Sequence, residues 1–291
     1  MAVEWVGNRP RTWYDLCPMV HGREYAHIYL SPHLDDAVLS CGGRIRAQAA
    51  AGDSVAVVTV FAAAPDAGDS LSPYAETLHA RWSQPLHAVQ ERQKEDRKAL
   101  ALLGAQAVHW HYRDCIYRRS PEGGYAYASE AALWGPIHPS EADLIQALTG
   151  RIKALPLMTA GVLYVPLAVG RHIDHRIVRR AAAGTEGTLA YYEDFPYAAE
   201  PDRLRAALAG CRWTAEIVFL SKEDLAAKIG AIASYGSQIS TFWGDRAAMA
   251  ASVRAFAERT GSGAPAERYW LPRSSTRTRE HGDKEKLSDR D

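Results

Sequence analysis

The sequence predicts one α/β domain of the Rossmann-like class, with a mostly parallel sheet and helices on both faces. The continuous apolar run at 54–61 (SVAVVTVF) is typical of a parallel strand that is buried on both faces. Residues 26–61 form the pattern strand, helix, strand within roughly 35 residues, which is the length of a βαβ unit. Short apolar segments alternate with helical patterns further along the chain, so more strands of the same sheet are expected.

The first predicted strand, 26–30, stops at Pro32 and is followed by a helix over 37–51. Gly42 and Gly43 fall inside this helix, where each glycine costs about 1 kcal/mol relative to alanine. Two adjacent glycines indicate either close approach of the backbone to a neighbour or a helix that begins later than 37.

The remaining predicted elements continue this alternation. Strands are predicted at 54–61, 107–112, 161–167, 190–192 and 214–220, and helices at 91–103, 141–153, 177–183, 222–234 and 245–259. The proline- and glycine-containing segments 62–85 and 118–140 are predicted to be long loops. The domain is predicted to span 1–272, beginning with an irregular arm over 1–25, and the charged tail 273–291 is predicted to be disordered.

The composition, with 47% apolar and 23% charged residues, is ordinary for a soluble globular protein. The 34 basic and 34 acidic residues cancel, so there is no global electrostatic reason to expect nucleic acid or an anionic membrane. No stretch is long and apolar enough for a membrane span, and no signal peptide is apparent, so a cytoplasmic location is expected. The four cysteines form no CxxC pair, which argues against a thiolate zinc site. This composition is compatible with a homo-oligomer as well as with a monomer.

Two clusters of histidine and aspartate carry the chemistry. The segments 32–36 (PHLDD) and 172–175 (HIDH) each lie between a predicted strand and the helix that follows it. Ligands of open parallel sheets bind outside the carboxyl ends of the strands. Two segments about 140 residues apart therefore point to one crevice, which is a stronger signal than either motif alone.

These side chains have the composition of a catalytic metal site. Zinc in such sites takes three protein ligands and keeps one position for water. His33 and Asp36, three residues apart at a helix entrance, can face one point, and His175 would supply the third ligand. Zinc is the expected metal, and Fe(II) would suit the same ligands.

The neighbouring residues then take the catalytic roles. Asp35 is predicted to be the general base that activates the metal-bound water, whose pKa falls to about 7. His172 would stabilise the developing oxyanion or protonate the leaving amine, and Asp174 would orient His172. The simpler alternative is that Asp35 and Asp36 only cap a helix.

The paired motifs resemble those of the PIG-L/LmbE-type zinc-dependent N-acetylglucosaminyl deacetylases, P-H-x-D-D and H-x-D-H. The resemblance extends over roughly 26–197 and implies the same three zinc ligands and the same base. It also implies that Arg92, in an R-x-x-E context, and Asp114, at the end of the next strand, bind sugar hydroxyls. Alternatively, Arg92 and Asp114 form an ordinary surface ion pair.

The chain departs from part of this family. Members in thiol-cofactor synthesis carry Tyr-Gly before H-x-D-H, whereas this chain has Gly170-Arg171. The role of that tyrosine is therefore vacant or taken over by another group. The segment 191–197 (YYEDFPY) resembles LmbE-type members of bacterial secondary metabolism.

The predicted function is hydrolytic removal of an N-acyl group, most simply N-acetyl, from an amino sugar or a sugar-bearing metabolite. One alternative is an amidase that acts on thiol-cofactor conjugates or another secondary metabolite. A second alternative is a non-catalytic sugar- or nucleotide-binding domain, against which the complete set of ligands and base counts. Tryptophans in or near the long loops would stack on a sugar or an acyl chain, or pack the loops down. They are Trp82, Trp134 and Trp243.

Overall fold

The computed structural model describes residues 23–65, 68–82 and 87–273, together with the backbone of two short antiparallel strands, β1 (Trp5–Val6) and β2 (Arg9–Pro10). Most of the predicted N-terminal arm and the predicted tail beyond residue 273 lie outside the described residues. Among the described helices, none is long and apolar enough to cross a membrane.

Seven strands form the central sheet in the order β5-β4-β3-β6-β7-β9-β8. The five strands β5, β4, β3, β6 and β7 are parallel, whereas β9 runs antiparallel to both β7 and β8. The mostly parallel α/β fold is therefore confirmed. The strands are β3 (Tyr25–Ser31), β4 (Val55–Thr59), β5 (Gln106–His109), β6 (Leu157–Pro166), β7 (Thr188–Tyr192), β8 (Trp213–Phe219) and β9 (Ala266–Pro272).

Helices cover both faces of this sheet, as predicted. Alternate residues of β3 point into two apolar clusters: Ile28 and Leu30 join helices α5 and α6, and Tyr29 joins α1, α3, α8 and α10. The helices are α1 (Asp36–Ala50), α2 (Pro73–Arg81), α3 (Ala88–Leu103), α4 (Glu130–Leu133), α5 (Ala142–Lys153), α6 (Ile173–Ala182), α7 (Pro201–Leu208), α8 (Lys222–Ile232), α9 (Gly236–Phe242) and α10 (Arg246–Thr260).

Several elements were not predicted from the sequence. Helices α2 and α4 lie in the two segments predicted as loops, and α7, α9 and β9 were missed. Helix α2 fully buries only Ala75 and His79, and α7 fully buries no residue, so the apolar face of each helix is short and packs only partly against the core. Strand β9 includes a buried glutamate, Glu267, which hides its strand pattern.

The glycines inside α1 reflect close approach of the backbone to its neighbours, the first of the two explanations above. A Cβ added to Gly43 would lie 2.5 Å from Leu220 Cδ1. Glu267 accepts hydrogen bonds from the amides of Gly43 and Arg44, at 2.9 and 3.0 Å. Helix α1 thus begins where predicted and packs tightly against β9 and its surroundings.

The strand order positions the functional residues. From β3 the chain builds the sheet outward through β4 to β5, and it then returns to place β6 on the other side of β3. In open α/β sheets the crevice at such a reversal, outside the carboxyl ends of the strands, is the usual place for a ligand. The motif at 32–36 follows β3 and the motif at 172–175 follows its neighbour β6, so both lie at this edge of the sheet.

Candidate metal centre and active site

Three predicted ligand side chains converge at the crevice. His33 Nδ1 lies 3.2 Å and His175 Nε2 lies 3.3 Å from the same oxygen, Asp36 Oδ2. The backbone amide of His33 also donates to Asp36 Oδ2, at 2.7 Å, and fixes that carboxylate. Two imidazole nitrogens and one carboxylate oxygen are a donor set that suits zinc or ferrous iron.

The second nitrogen of each histidine ring is held by a buried carboxylate. His33 Nε2 lies 3.0 Å from Asp174 Oδ2, and His175 Nδ1 lies 2.6 Å from Asp194 Oδ1. Histidines that bind metals almost always donate their other ring nitrogen in this way, which fixes the orientation of the ring. These hydrogen bonds support the fit of a divalent cation between His33, Asp36 and His175.

Asp194 was missed by the sequence reasoning. It follows β7, the next parallel strand along the sheet, and it also accepts a hydrogen bond from the amide of Val169, at 2.9 Å. Its sequence signal was an aspartate directly after a strand, within the segment YYED, at the same edge of the sheet as the two motifs.

The carboxylate of Asp174 hydrogen-bonds to His33, whereas the sequence predicted that it orients His172. The two oxygens of its carboxylate accept hydrogen bonds from His33, from Arg118 at 2.6 Å and from the Cys115 amide at 3.0 Å. His172 caps α6, and its Nδ1 accepts the backbone amide of Asp174 at 3.3 Å. Because Nδ1 is an acceptor, the proton of a neutral His172 is assigned to Nε2.

Burial shifts the pKa values of two groups beside the proposed ligands, Asp35 and His172. Burial raises the pKa of Asp35 to about 7, although the Arg92 guanidinium, 3.6 Å away, opposes this rise. Burial also lowers the pKa of His172 well below its usual value, and the neighbouring His33 adds to this effect. His172 is therefore neutral near pH 7, whereas Asp35 can accept or release a proton there.

The two histidines beside Asp36 have raised pKa values, in contrast to His172. Burial by itself would lower the pKa of His33, but the carboxylates of Asp114, Asp174 and Asp36 raise it well above its usual value. For His175, burial is likewise outweighed by Asp36 and Asp194, and its pKa rises to about 10. These carboxylates favour positive charge between them, which protons or a divalent cation can supply.

The two predicted sugar-binding residues line the same site, and they are not an exposed ion pair. Arg92 is buried, packs over the ring of Trp82 at 4.8 Å and points to Asp35. Among the described residues its buried Nε has no hydrogen-bond partner. Asp114 Oδ2 lies 3.5 Å from His33 Nε2, while Oδ1 accepts the amide of Ile116.

Aromatic side chains border the histidines on one side. Trp134 packs edge-on against His172, with ring centres 5.2 Å apart, and against Tyr197 at 5.7 Å. The Tyr197 ring also lies 6.4 Å from that of His175. A Cβ added to Gly170 would lie 2.7 Å from Tyr197 Cγ, so the ring of Tyr197 occupies the space above this glycine. A side chain at 170 and the present position of Tyr197 exclude each other.

Comparison with known proteins identifies the family. The model of the GlcNAc-PI de-N-acetylase family, PIG-L, matches residues 28–185, more than half of the chain, and includes both motifs. The chain belongs to the PIG-L family. This confirms the family that the motifs at 32–36 and 172–175 indicated.

Relatives of known activity are deacetylases. The 2'-N-acetylparomamine deacetylase of Niallia circulans is 27% identical over 187 residues, which are 59% of this chain and 67% of that protein. The enzyme of the same name from Streptomyces fradiae is 28% identical over 188 residues, 60% of this chain and 58% of that protein. These alignments thus leave about a third of the first relative and about two fifths of the second unmatched.

Solved structures of PIG-L-type deacetylases match almost the whole fold. The zinc-inhibited form of the teicoplanin deacetylase Orf2 is 28% identical with a TM-score of 0.75, covering 87% of this chain and 99% of that one. The A40926 pseudoaglycone deacetylase Dbv21 is 29% identical with a TM-score of 0.67, covering 86% and 98%. The predicted fold and the predicted class of reaction are both confirmed by these relatives.

Proposed function

We propose that the protein is a zinc-dependent deacetylase that hydrolyses the N-acetyl group of an amino sugar carried by a secondary metabolite. The observation that carries this proposal is the convergence of His33 Nδ1, Asp36 Oδ2 and His175 Nε2, with Asp35 beside them. The related enzymes named for acetylated aminoglycoside and glycopeptide compounds support this class of substrate. Ferrous iron is the alternative metal.

In this proposal the base and the oxyanion donor are separate groups. Zinc, when bound by His33, Asp36 and His175, would polarise the amide carbonyl and make water more acidic. Asp35 accepts a proton from the attacking water and returns it to the departing nitrogen as the C–N bond breaks, so that acetate and a free amine are formed. Burial favours the protonated form of Asp35, whereas a bound cation would favour the ionised form, so the carboxyl group can exchange a proton in both steps.

His172 serves best as a hydrogen-bond donor. With Nδ1 occupied by the amide of Asp174, its Nε2–H is free to donate to the carbonyl oxygen as negative charge develops there. The lowered pKa of His172 disfavours the alternative in which an imidazolium protonates the amine. Of the two roles predicted from the sequence, we therefore propose oxyanion stabilisation.

Arg92 and Asp114 are proposed to bind sugar hydroxyls. The Arg92 guanidinium and the Asp114 carboxylate offer donors and an acceptor close to the reacting groups. Arg92 has a second role in this proposal, because its positive charge holds Asp35 in place. Trp134, which is only partly buried, borders these polar groups and can contact an apolar face of the sugar, whereas Trp82 is buried against Arg92.

A direct assay tests this function. The metal-free enzyme, reconstituted with zinc or with Fe(II), is incubated with 2'-N-acetylparomamine, an N-acetylglucosaminyl glycopeptide and an acetylated thiol-cofactor conjugate, and acetate release is measured. We expect metal-dependent release from one of the first two compounds. Asp35→Asn should retain the metal and lose turnover at least 100-fold, in line with general-base catalysis of about 10²–10⁴-fold.

The controls separate the alternatives. Release only from the thiol conjugate would support the thiol-cofactor alternative, and binding without release in any metal-loaded form would support the non-catalytic one. Turnover of Asp35→Asn at the wild-type rate would show that the base is assigned wrongly.

A further inference from the structure

A buried chain of charged groups leads away from the metal centre behind His33. Asp174 Oδ2 lies 3.0 Å from His33 Nε2, Asp174 Oδ1 lies 2.6 Å from Arg118 Nη2, and Arg118 Nε lies 2.8 Å from Glu141 Oε1. Asp174 is fully buried and Glu141 nearly so. Neither Arg118 nor Glu141 reaches the reacting groups, and the proposed mechanism uses neither.

We infer that Arg118 is a positioning residue for the metal centre. It fixes the carboxylate of Asp174, which in turn fixes the ring of His33 so that Nδ1 faces Asp36 and His175. This inference rests on the proposed metal centre and adds to it the residue that determines which nitrogen of His33 is presented.

The surroundings of Arg118 hold its guanidinium in one place. In addition to Glu141 and Asp174, it donates from Nη1 to the carbonyl oxygen of Arg113, at 2.9 Å. The rings of Phe61 and Tyr127 lie 5.0 and 5.5 Å from its Cζ. All three nitrogens are thus used, in a planar geometry that a lysine ammonium cannot reproduce.

His33 needs this control because carboxylates lie on both sides of its ring. Asp36 lies at Nδ1, whereas Asp174 and Asp114 lie at Nε2. His33, Asp114 and Asp174 also offer three ligand atoms that lie close enough together to hold a cation. The guanidinium of Arg118 neutralises Asp174 and opposes a second positive charge there. The side of the ring at Nδ1 is then the favoured one for a metal.

A purely electrostatic effect of Arg118 predicts the opposite sign for the change in zinc affinity. Removing a positive charge near a cation site strengthens cation binding if charge alone matters. Removing a residue that orients a metal ligand weakens binding, typically 10–100-fold for the groups behind ligating histidines. The direction of the change in zinc affinity therefore separates the two explanations.

The experiment measures zinc affinity in full-length Arg118→Met and Arg118→Lys by competition with a chromophoric chelator. We expect the dissociation constant to rise about tenfold in both variants. In the zinc-loaded wild-type enzyme, the Nε2–H proton of His33 should give a downfield NMR signal protected from exchange with water, and this protection should be lost in both. The matched control is Arg151→Met, because Arg151 lies over Trp110, away from the metal centre.

The outcomes are distinct. Unchanged or tighter zinc binding in a folded Arg118 variant, with the His33 signal still protected, would overturn the inference. If Arg118→Met does not fold, Arg118→Lys decides, with Glu141→Gln as a milder variant that should weaken zinc binding less. If the His33→Ala variant binds zinc as tightly as the wild type, the proposed metal centre itself is wrong.

Discussion

The histidines of the candidate metal centre illustrate how each ring nitrogen is assigned by its neighbour. His33 and His175 both direct one nitrogen to Asp36 and the other to a buried carboxylate. Such pairs of contacts cannot be inferred from local spacing. In the sequence Asp174 lies two residues from His172, but its carboxylate bonds to His33, 141 positions away.

Asp194 should contribute to metal binding because it orients the proposed ligand His175. Asp194→Asn keeps the shape of the side chain but removes the charge that holds the Nδ1 proton of His175, so we expect zinc affinity to fall about 10–100-fold. Chelator competition measures this change. The control is Asp202→Asn, an exposed aspartate on α7, and equal zinc affinity in the two variants would contradict the prediction.

At the scale of elements, the strands and helices that could be predicted are those in which apolar residues recur at regular spacing along the chain. The strands β3 and β4 and the helices α1 and α3 carry such patterns, and the two motifs adjoin predicted strands, so the crevice could be located from the sequence. Strand β9 could not, because Glu267 is stabilised in its buried position by Lys228, 39 residues away, by the amides of α1 and by the hydroxyl of Tyr269. Long-range pairing of charges leaves no local pattern.

The contact between the loop after β6 and the 3-10 turn Tyr197–Ala199 gives a test at this scale. Gly170→Ala would force the Tyr197 ring away from its place beside His175, because the added Cβ lies 2.7 Å from the root of the ring. We expect the free energy of unfolding to fall by about 1–3 kcal/mol. Turnover should fall as well, because the ring borders the active site. Urea denaturation and the deacetylation assay measure the two effects.

The control for this substitution is Gly150→Ala in the middle of α5, where an added Cβ meets nothing within 4 Å. Alanine is favoured there, so stability should rise by about 0.5–1 kcal/mol. A Gly170→Ala variant that is as stable and as active as the wild type would show that Tyr197 moves freely.

At the scale of the whole molecule, the proposed ligands connect distant parts of the chain across the middle of the sheet. His33 and Asp36 follow β3, which begins the parallel half leading to β5, whereas His175 follows β6, which begins the other half. The sequence predicted this meeting point because both motifs follow predicted parallel strands and therefore had to lie at the carboxyl ends of the sheet. It could not supply Arg118 or Asp194, whose roles depend on the folded neighbours of the rings.

Zinc should therefore stabilise the fold as a whole. Binding to the native state alone contributes about 2.7 kcal/mol at a zinc concentration 100 times the dissociation constant, which corresponds to a rise in Tm of about 5–10 °C for a domain of this size. Calorimetry with and without zinc measures this rise, and excess chelator should reverse it. His175→Ala should abolish the zinc-dependent shift because it removes a ligand, whereas Asp35→Asn should retain it because Asp35 is the base. Loss of the shift in Asp35→Asn, or its persistence in His175→Ala, would require a different set of ligands.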